Sequence, residues 1–254
     1  MMITSTSNEQ IKNIIQLKEK SKVRKQKKQY VVEGLKMFSE VPKEDLRGVY
    51  VSEHFLKENE GKLQGVNFQT VSDSVFKKIS DTVTPQGVLA VVAQKENTLD
   101  EILNNRRKNK SCIVVLDRLQ DPGNLGTILR TAEGAGVSGI VMSSDCADIY
   151  NPKVIRSTMG SIFRVPFSVV DDLPAAVERI REKGITTYAA HLQGEDYNKG
   201  VFEKDIALLI GNEAAGLSKE VSEKADQWIK IPMEGKVESL NAAVAAAILM
   251  YEAR

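Results

Sequence analysis

Three short stretches of this chain place polar residues and glycines at spacings suited to gripping a small ligand. The first, Asp117-Arg118-Leu119-Gln120-Asp121-Pro122-Gly123-Asn124-Leu125-Gly126, follows an apolar run and leads into a helical pattern that carries Arg130. With a helix start near Asn124, Arg130 lies about two turns inside, on an arc shared with Thr127 and Thr131. A capped helix with a solvent-facing arginine accounts for the same pattern equally well. The second stretch, Gly211-Asn212-Glu213-Ala214-Ala215-Gly216-Leu217, directly follows the apolar run Ala207 to Ile210. Its glycines let backbone approach a ligand closely, and Glu213 supplies an acceptor among apolar neighbours. A turn with a carboxylate at a helix start is the simpler alternative. The third runs from Ile231-Pro232-Met233 to Ser239-Leu240-Asn241, ahead of the almost wholly apolar helix Ala242 to Met250. Ser239 is the expected cap of that helix. The helix itself should be buried nearly all round, in the core or against a partner chain.

Better-known motifs fail on context. Gly134-Ala135-Gly136-Val137-Ser138-Gly139 spells a dinucleotide fingerprint, but it follows a helix and precedes a strand, the reverse of the order that places pyrophosphate on a helix N-terminus. A helix C-cap and turn explain it. No Gly-Lys-Ser/Thr phosphate loop and no G-x-S-x-G elbow occur, and His54 and His191 are the only histidines. Kinase, NTPase and serine-hydrolase chemistry therefore lack central residues.

The elements that would position the three stretches alternate. Cys112 to Leu116 is a continuous apolar run of the kind buried on both faces of a sheet, and Gly139 to Met142, Thr186 to Ala190, Ala207 to Ile210 and Trp228 to Ile231 repeat it. Helical patterns such as Leu125 to Glu133, Leu173 to Lys183 and Asn241 to Arg254 lie between, which predicts a parallel sheet covered on both sides. Ligands of such sheets sit beyond the carboxyl ends of strands, so the loops after Leu116, Ala190, Ile210 and Ile231 are the places to search. Ahead of this block, Tyr30 to Val32, Gly48 to Val51, Phe68 to Val71 and Val88 to Ala93 read as strands of a small α/β domain. The expected division is 1–95, a linker at 96–110 and a second domain at 111–254. The linker opens on the capping box Thr98-Leu99-Asp100-Glu101 and its helix runs into Arg106, Arg107, Lys108 and Lys110.

At the front, Ser7-Asn8-Glu9-Gln10 reads as another capping box, with Ile11, Ile14 and Ile15 as the apolar stripe of its helix. Lys18, Lys20, Lys22, Arg24, Lys25, Lys27 and Lys28 follow, opposed only by Glu19. This is either a solvated helix face or an arm that contacts phosphates. Overall, 35 Lys and Arg against 34 Asp and Glu leave a formal charge of +1, which neither requires nor excludes a nucleic-acid partner. No run approaches the roughly 18 apolar residues of a membrane span. Cys112 and Cys146 form no disulfide framework or metal motif, so a cytoplasmic protein without metal is expected.

Together the three stretches resemble the SpoU/TrmH family of RNA 2′-O-ribose methyltransferases, of the SPOUT superfamily. The resemblance rests on Asn124-x-Gly126-x-x-x-Arg130, Gly211-x-Glu213-x-x-Gly216-Leu217, and Ile231-Pro232-Met233 followed by Ser239-Leu240-Asn241-Ala242. It spans roughly 111–254, including Arg156, Ser157, Met159 and Gly160. Val32-Glu33-Gly34 and Gln86-Gly87 look like parts of the substrate-binding domain often joined to this one, similar to a ribosomal-protein-type RNA-binding fold.

The resemblance implies a trefoil knot in the second domain, S-adenosylmethionine as cofactor, and a homodimer formed through the C-terminal domain. By position, the cofactor would lie among Leu192, Gly194, Gly211, Ile231, Met233 and Leu240. Arg130 would be catalytic, with Asn124, Glu213, Ser239 and Asn241 shaping the pocket. Lys22, Arg24, Lys25, Lys27, Lys28, Arg118 and Arg156 would meet structured RNA, with 23S rRNA preferred to tRNA. A guanidinium can stabilise developing alkoxide charge and hold a neighbouring phosphate, but it does not take up the proton. Ala243, where many members carry serine, leaves one hydrogen bond of the family pattern in doubt. A base methyltransferase of the same fold and a non-catalytic RNA-binding or ribosome-assembly protein are the alternatives.

Overall fold

A computed structural model describes residues 2–107, 110–199 and 202–253, so Lys108 of the expected linker and the terminal Arg254 lie outside the described residues. The chain divides into two compact units, Met1–Lys95 with Tyr150–Phe163, and Glu96–Ile149 with Arg164–Arg254.

The first unit holds α1 (Glu9–Glu19), α2 (Ser21–Lys27), β1 (Gln29–Glu33), α3 (Leu35–Glu40), β2 (Leu46–Ser52), α4 (Glu53–Asn59), β3 (Gln69–Val71), α5 (Asp73–Ile79) and β4 (Val88–Ala93). Its sheet runs β1-β4-β2-β3, antiparallel except for the β2/β3 pair. Ile11, Ile14 and Leu17 of α1 pack with Val31, Leu89 and Val91 of the sheet and with Phe76 and Ile79 of α5. The motif residues of this unit have structural roles. Glu33 accepts from Ser80 Oγ, Asp81 N and Thr82 Oγ1, while Gln86 Oε1 accepts from Leu35 N at 2.7 Å. Gly87 is required: at φ 85° an added Cβ would fall 2.5 Å from Ser52 Oγ.

Two expectations for the front change. Asn8, not Ser7, caps α1, its Oδ1 accepting from Gln10 N at 2.9 Å. The basic stretch is not one helix: the chain breaks at Lys20, whose backbone is extended, and restarts as α2. The break lets the Arg24 guanidinium turn back to the end of α1, donating to the Leu17 and Lys18 carbonyls at 2.7 and 3.0 Å. Those carbonyls lack helical partners, so a buried guanidinium closes the helix end.

In the second unit come α6 (Leu99–Asn104), β5 (Cys112–Leu116), α7 (Pro122–Ala135) and β6 (Gly139–Ser143). Next in the chain is α8 (Pro152–Thr158), which packs on β1 and belongs with the first unit although its sequence reads with the second block. The second unit resumes with β7 (Phe167–Val170), α9 (Leu173–Glu182), β8 (Thr186–Asp196), β9 (Ile206–Ile210), α10 (Lys219–Ser222), β10 (Gln227–Lys230) and α11 (Ala242–Glu252). All six strands are parallel, in the order β10-β8-β9-β5-β6-β7. Ile113, Val115, Val141 and Leu209 bury one face against Ile102, Val177 and Ile180 of α6 and α9. Strand alternation turns Val114 and Leu116 to the other face, where α11 packs on α7 and β9.

The helix opened by the Thr98 capping box ends at Asn104. Asn105 donates from its side chain to the Ser138 carbonyl, and Arg107 and Lys110 pair as a tight bridge, so Arg106, Arg107 and Lys110 are not helical. α7 starts two residues earlier than expected, with Asp121 as cap and Pro122 in the first turn, and Gly136 ends it in the left-handed region. β7, with only two of its four residues buried, gave no continuous apolar run to read.

Asp226 ties β8 to α9. Its carboxylate accepts from Thr187 N and Oγ1 at 2.9 and 2.8 Å and from Arg181 Nε at 2.7 Å. Burial opposes ionisation there, but the Thr187 and Arg181 bonds outweigh it and hold the pKa below the ordinary value. A depressed folded pKa contributes stability that is present above the unfolded carboxylate pKa and lost as pH falls through the folded value. Asp226→Asn should therefore cost about 2 kcal/mol in urea unfolding at neutral pH. The gap from wild type should close in acid below the folded pKa; a gap independent of pH would contradict this.

Candidate active site

All three chemical loops leave the carboxyl end of the parallel sheet, after β5, β9 and β10. A fourth wall comes from within β8. The β8/β10 pairing jumps from Trp228↔Ala189 to Ile229↔Glu195, so residues 190–194 bulge out of the ladder. The His191 ring stacks on Trp228 with centroids 4.1 Å apart, and Trp228 Nε1 donates to the Ser222 carbonyl at 2.8 Å, which fixes the bulge from behind.

Between these walls lies a cavity of about 390 Å³. Leu192, Gly211, Ile231, Met233 and Leu240 of the expected cofactor set line it, together with Glu213 and Ser239. Gly194 does not. It sits on a neighbouring cavity beside Trp228, where an added Cβ would fall 2.5 Å from Ile229 N. Its role is to let two backbones pass. Pattern reading missed Asn212 and the α11 residues Ala242, Ala245 and Leu249, which also line the cavity. Asn212 carried a signal, an Asx turn between two glycines. Its Oδ1 accepts from Ala214 N and Ala215 N, and its backbone exchanges two 2.9 Å bonds with Gly216.

Glu213, Asn124 and Asn241 join the loops through one polar chain. Glu213 Oε1 accepts from Asp121 N and Asn124 Nδ2, each at 3.0 Å, and Oε2 from Gln120 N at 3.1 Å. Donating its amide nitrogen to Glu213 turns Asn124 Oδ1 towards Asn241 Nδ2, 2.9 Å away. Asn241 Oδ1 in turn accepts from Ala243 N and Val244 N and caps α11, the role expected of Ser239. Burial works against the Glu213 charge, but the Asn124 amide and the backbone N–H groups of Asp121, Glu213 and Gln120 prevail and hold its pKa below the usual value. Glu213 is thus an ionised, saturated acceptor that orders two loops. It is poorly suited to take a proton.

Arg130 lies six residues beyond Asn124, about 9 Å further along α7. It is exposed, is not part of the cavity lining, and makes no hydrogen bond or ion pair among the described residues. Its guanidinium is available to a ligand approaching from solvent. Of the expected RNA contacts, Lys22, Lys25, Lys27 and Lys28 are exposed, although Lys27 Nζ donates to Asn13 Oδ1. Arg24 is 2 % exposed and is corrected to a helix-capping residue. Arg156 pairs with Asp81 at 3.2 Å, and Asp81 also pairs with Lys18 at 2.9 Å, so its charge is partly neutralised. Arg118 is half-exposed and has an unusual backbone, with φ 52°.

No group of three or more His, Cys, Asp or Glu among the described residues could hold a metal, and no described helix is long and apolar enough to cross a membrane. A volume of this size suits a small molecule, and the aliphatic side chains with exposed loop backbone suit a nucleoside. The residues present therefore fit S-adenosylmethionine, and Leu192, Gly211, Ile231, Met233 and Leu240 are those that would hold it.

Comparison with known proteins agrees. Residues 111–251 match the SpoU rRNA Methylase family, and residues 8–90 match the MRM3-like substrate binding domain. The chain is 34% identical over 258 residues to the 23S rRNA (guanosine(2553)-2′-O)-methyltransferase RlmP of Bacillus subtilis, covering 99% of this chain and 98% of the relative. The AdoMet-bound rRNA methyltransferase of Sinorhizobium meliloti superposes with a TM-score of 0.86 at 31% identity, covering 100% of this chain and 97% of that one. The SpoU methyltransferase AviRb of Streptomyces viridochromogenes, in complex with AdoMet, gives 0.85 at 29% identity, covering 97% of both chains.

Proposed function

This chain belongs to the SpoU rRNA methylase family and is an S-adenosylmethionine-dependent RNA methyltransferase, and from that premise we propose that it methylates a ribose 2′-hydroxyl of 23S rRNA. The observation that carries the reading is the tie from Glu213 through Asn124 to Asn241, which holds the cavity-forming loops in one geometry beside an unpaired Arg130. The full-length similarity to a 23S rRNA 2′-O-methyltransferase supports the choice of RNA.

When bound, S-adenosylmethionine supplies an electrophilic methyl on a sulfonium. The chain's own residues then have three tasks. The aliphatic walls and loop backbone hold the cofactor and exclude water. The Glu213–Asn124–Asn241 tie fixes the loop that opens α7, and so the axis on which Arg130 projects. Arg130 stabilises the charge that grows on the ribose oxygen and holds an adjacent phosphate. Exposed Lys22, Lys25, Lys27 and Lys28 add salt-sensitive affinity for RNA. The reading carries with it action in the cytoplasm, the compartment expected from the sequence. The reading also carries the family's trefoil knot in the second domain.

Labelled S-adenosylmethionine should label 23S rRNA from a strain deleted for this gene, and not 23S rRNA from wild-type cells, where the site is already filled. Label in transfer RNA alone would overturn the choice of RNA.

We further propose a homodimer through α11. Within one chain this helix is buried on one side only: Ala243, Ala246, Leu249 and Met250 face inward, while Val244 and Tyr251 are 48% and 46% exposed, one above the other in helical spacing. An apolar stripe of this kind suits an isologous contact. Val244→Asp should convert a dimer to a monomer by light scattering, and a monomeric wild type would refute the proposal.

A further inference from the structure

We propose that Arg118 grips a phosphate of the RNA backbone next to the target nucleotide, a contact that deepens the RNA-methyltransferase reading and rests on it. The first ground is the backbone. At φ 52°, Arg118 occupies the left-handed region that disfavours residues with a Cβ, at the point where β5 opens into the first loop. Three neighbours enforce this turn. Arg118 N donates to Ser143 Oγ at 2.9 Å, Asn212 Nδ2 donates to the Arg118 carbonyl at 2.8 Å, and Arg118 Nε donates to Asp117 Oδ1 at 3.2 Å. Asn212 lines the cavity, so Arg118 is one hydrogen bond from the cofactor site.

The second ground is the guanidinium geometry. Asp117 is 3% exposed, and its other oxygen accepts from Ser218 N at 2.6 Å. An arginine present only to neutralise this carboxylate would offer its two-pronged edge. Arg118 instead gives the single Nε–H and keeps both terminal nitrogens without a partner among the described residues, with the side chain 39% exposed. A fork held at its base and open at its tip matches the oxygens of an anion. Two oxyanions of the proposed reaction suit such a fork, an RNA phosphate and the carboxylate of the cofactor's methionine. Arg118 is not part of the cavity lining, which favours the phosphate.

Two variants of the full-length enzyme test this, Arg118→Asn, which tolerates the left-handed backbone and removes the charge, and Arg118→Lys, which keeps the charge without the fork. The RNA is 23S rRNA from the deletion strain. Arg118→Asn should raise KM for RNA about tenfold, leave kcat at saturating RNA and Kd for S-adenosylmethionine within about twofold, and flatten log K against log salt by about 0.7. Arg118→Lys should restore the salt slope but only part of the KM. An unchanged KM and salt slope in both variants would overturn the proposal. A weakened Kd for S-adenosylmethionine with RNA affinity intact would also overturn it and assign Arg118 to the methionine carboxylate. Should wild-type enzyme label no RNA, the function proposed above fails, while the salt slope of RNA binding still decides the role of Arg118.

Discussion

Arg130→Ala should lower kcat about 10²–10³-fold, the loss measured when a single oxyanion-stabilising donor is removed. The guanidinium is exposed and has no partner among the described residues, so its removal should shift unfolding by no more than about 0.5 kcal/mol. The Kd for S-adenosylmethionine should also hold, because Arg130 is absent from the cavity lining. A large rate loss without a stability or cofactor-binding loss separates chemistry from folding. Arg130→Lys should recover only part of the rate, since a point charge replaces a planar fork. Single-turnover methyl transfer at saturating RNA is the measurement; a rate near that of wild type would remove Arg130 from the mechanism.

Gly211→Ala should have the largest effect on the site as a whole. A Cβ there would lie 2.1 Å from the carbonyl carbon of Gly216 and from Leu217 N, both backbone atoms that no rotamer change can move. The two-bond turn between Asn212 and Gly216 would have to open, and with it the wall that carries Glu213. The expected cost is about 3 kcal/mol of stability, the upper end of ordinary overpacking, with loss of detectable cofactor binding. Gly235→Ala, where an added Cβ meets nothing within 4 Å, is the matched control and should be near neutral in thermal unfolding. Equal effects from the two substitutions would show that space at Gly211 is not limiting.

The parallel sheet was legible because its central strands β5, β6 and β9 are nearly unbroken apolar runs, and Cys112–Leu116 has the bounds that its composition predicts, as does Val88–Ala93 in the first unit's sheet. The cavity loops were legible because they follow such runs directly. Other features depend on contacts that local pattern does not encode. Arg24 looks like its lysine neighbours until the break at Lys20 folds it back on α1. Asn241 takes the cap from Ser239 because Asn124 fixes its amide orientation from another loop. The exposed stripe on α11 is invisible in an almost uniformly apolar helix, where no polar residue marks the outer side. The grouping of 150–163 with the first unit likewise follows from packing on β1, not from any composition shift.

The most direct test of the central claim is alkaline hydrolysis of 23S rRNA labelled by this enzyme from S-adenosylmethionine. Methylation of a ribose 2′-hydroxyl removes the internal nucleophile of strand cleavage, so the label should be recovered in an alkali-resistant dinucleotide. Label recovered entirely in mononucleotides would place the methyl on a base and contradict the account.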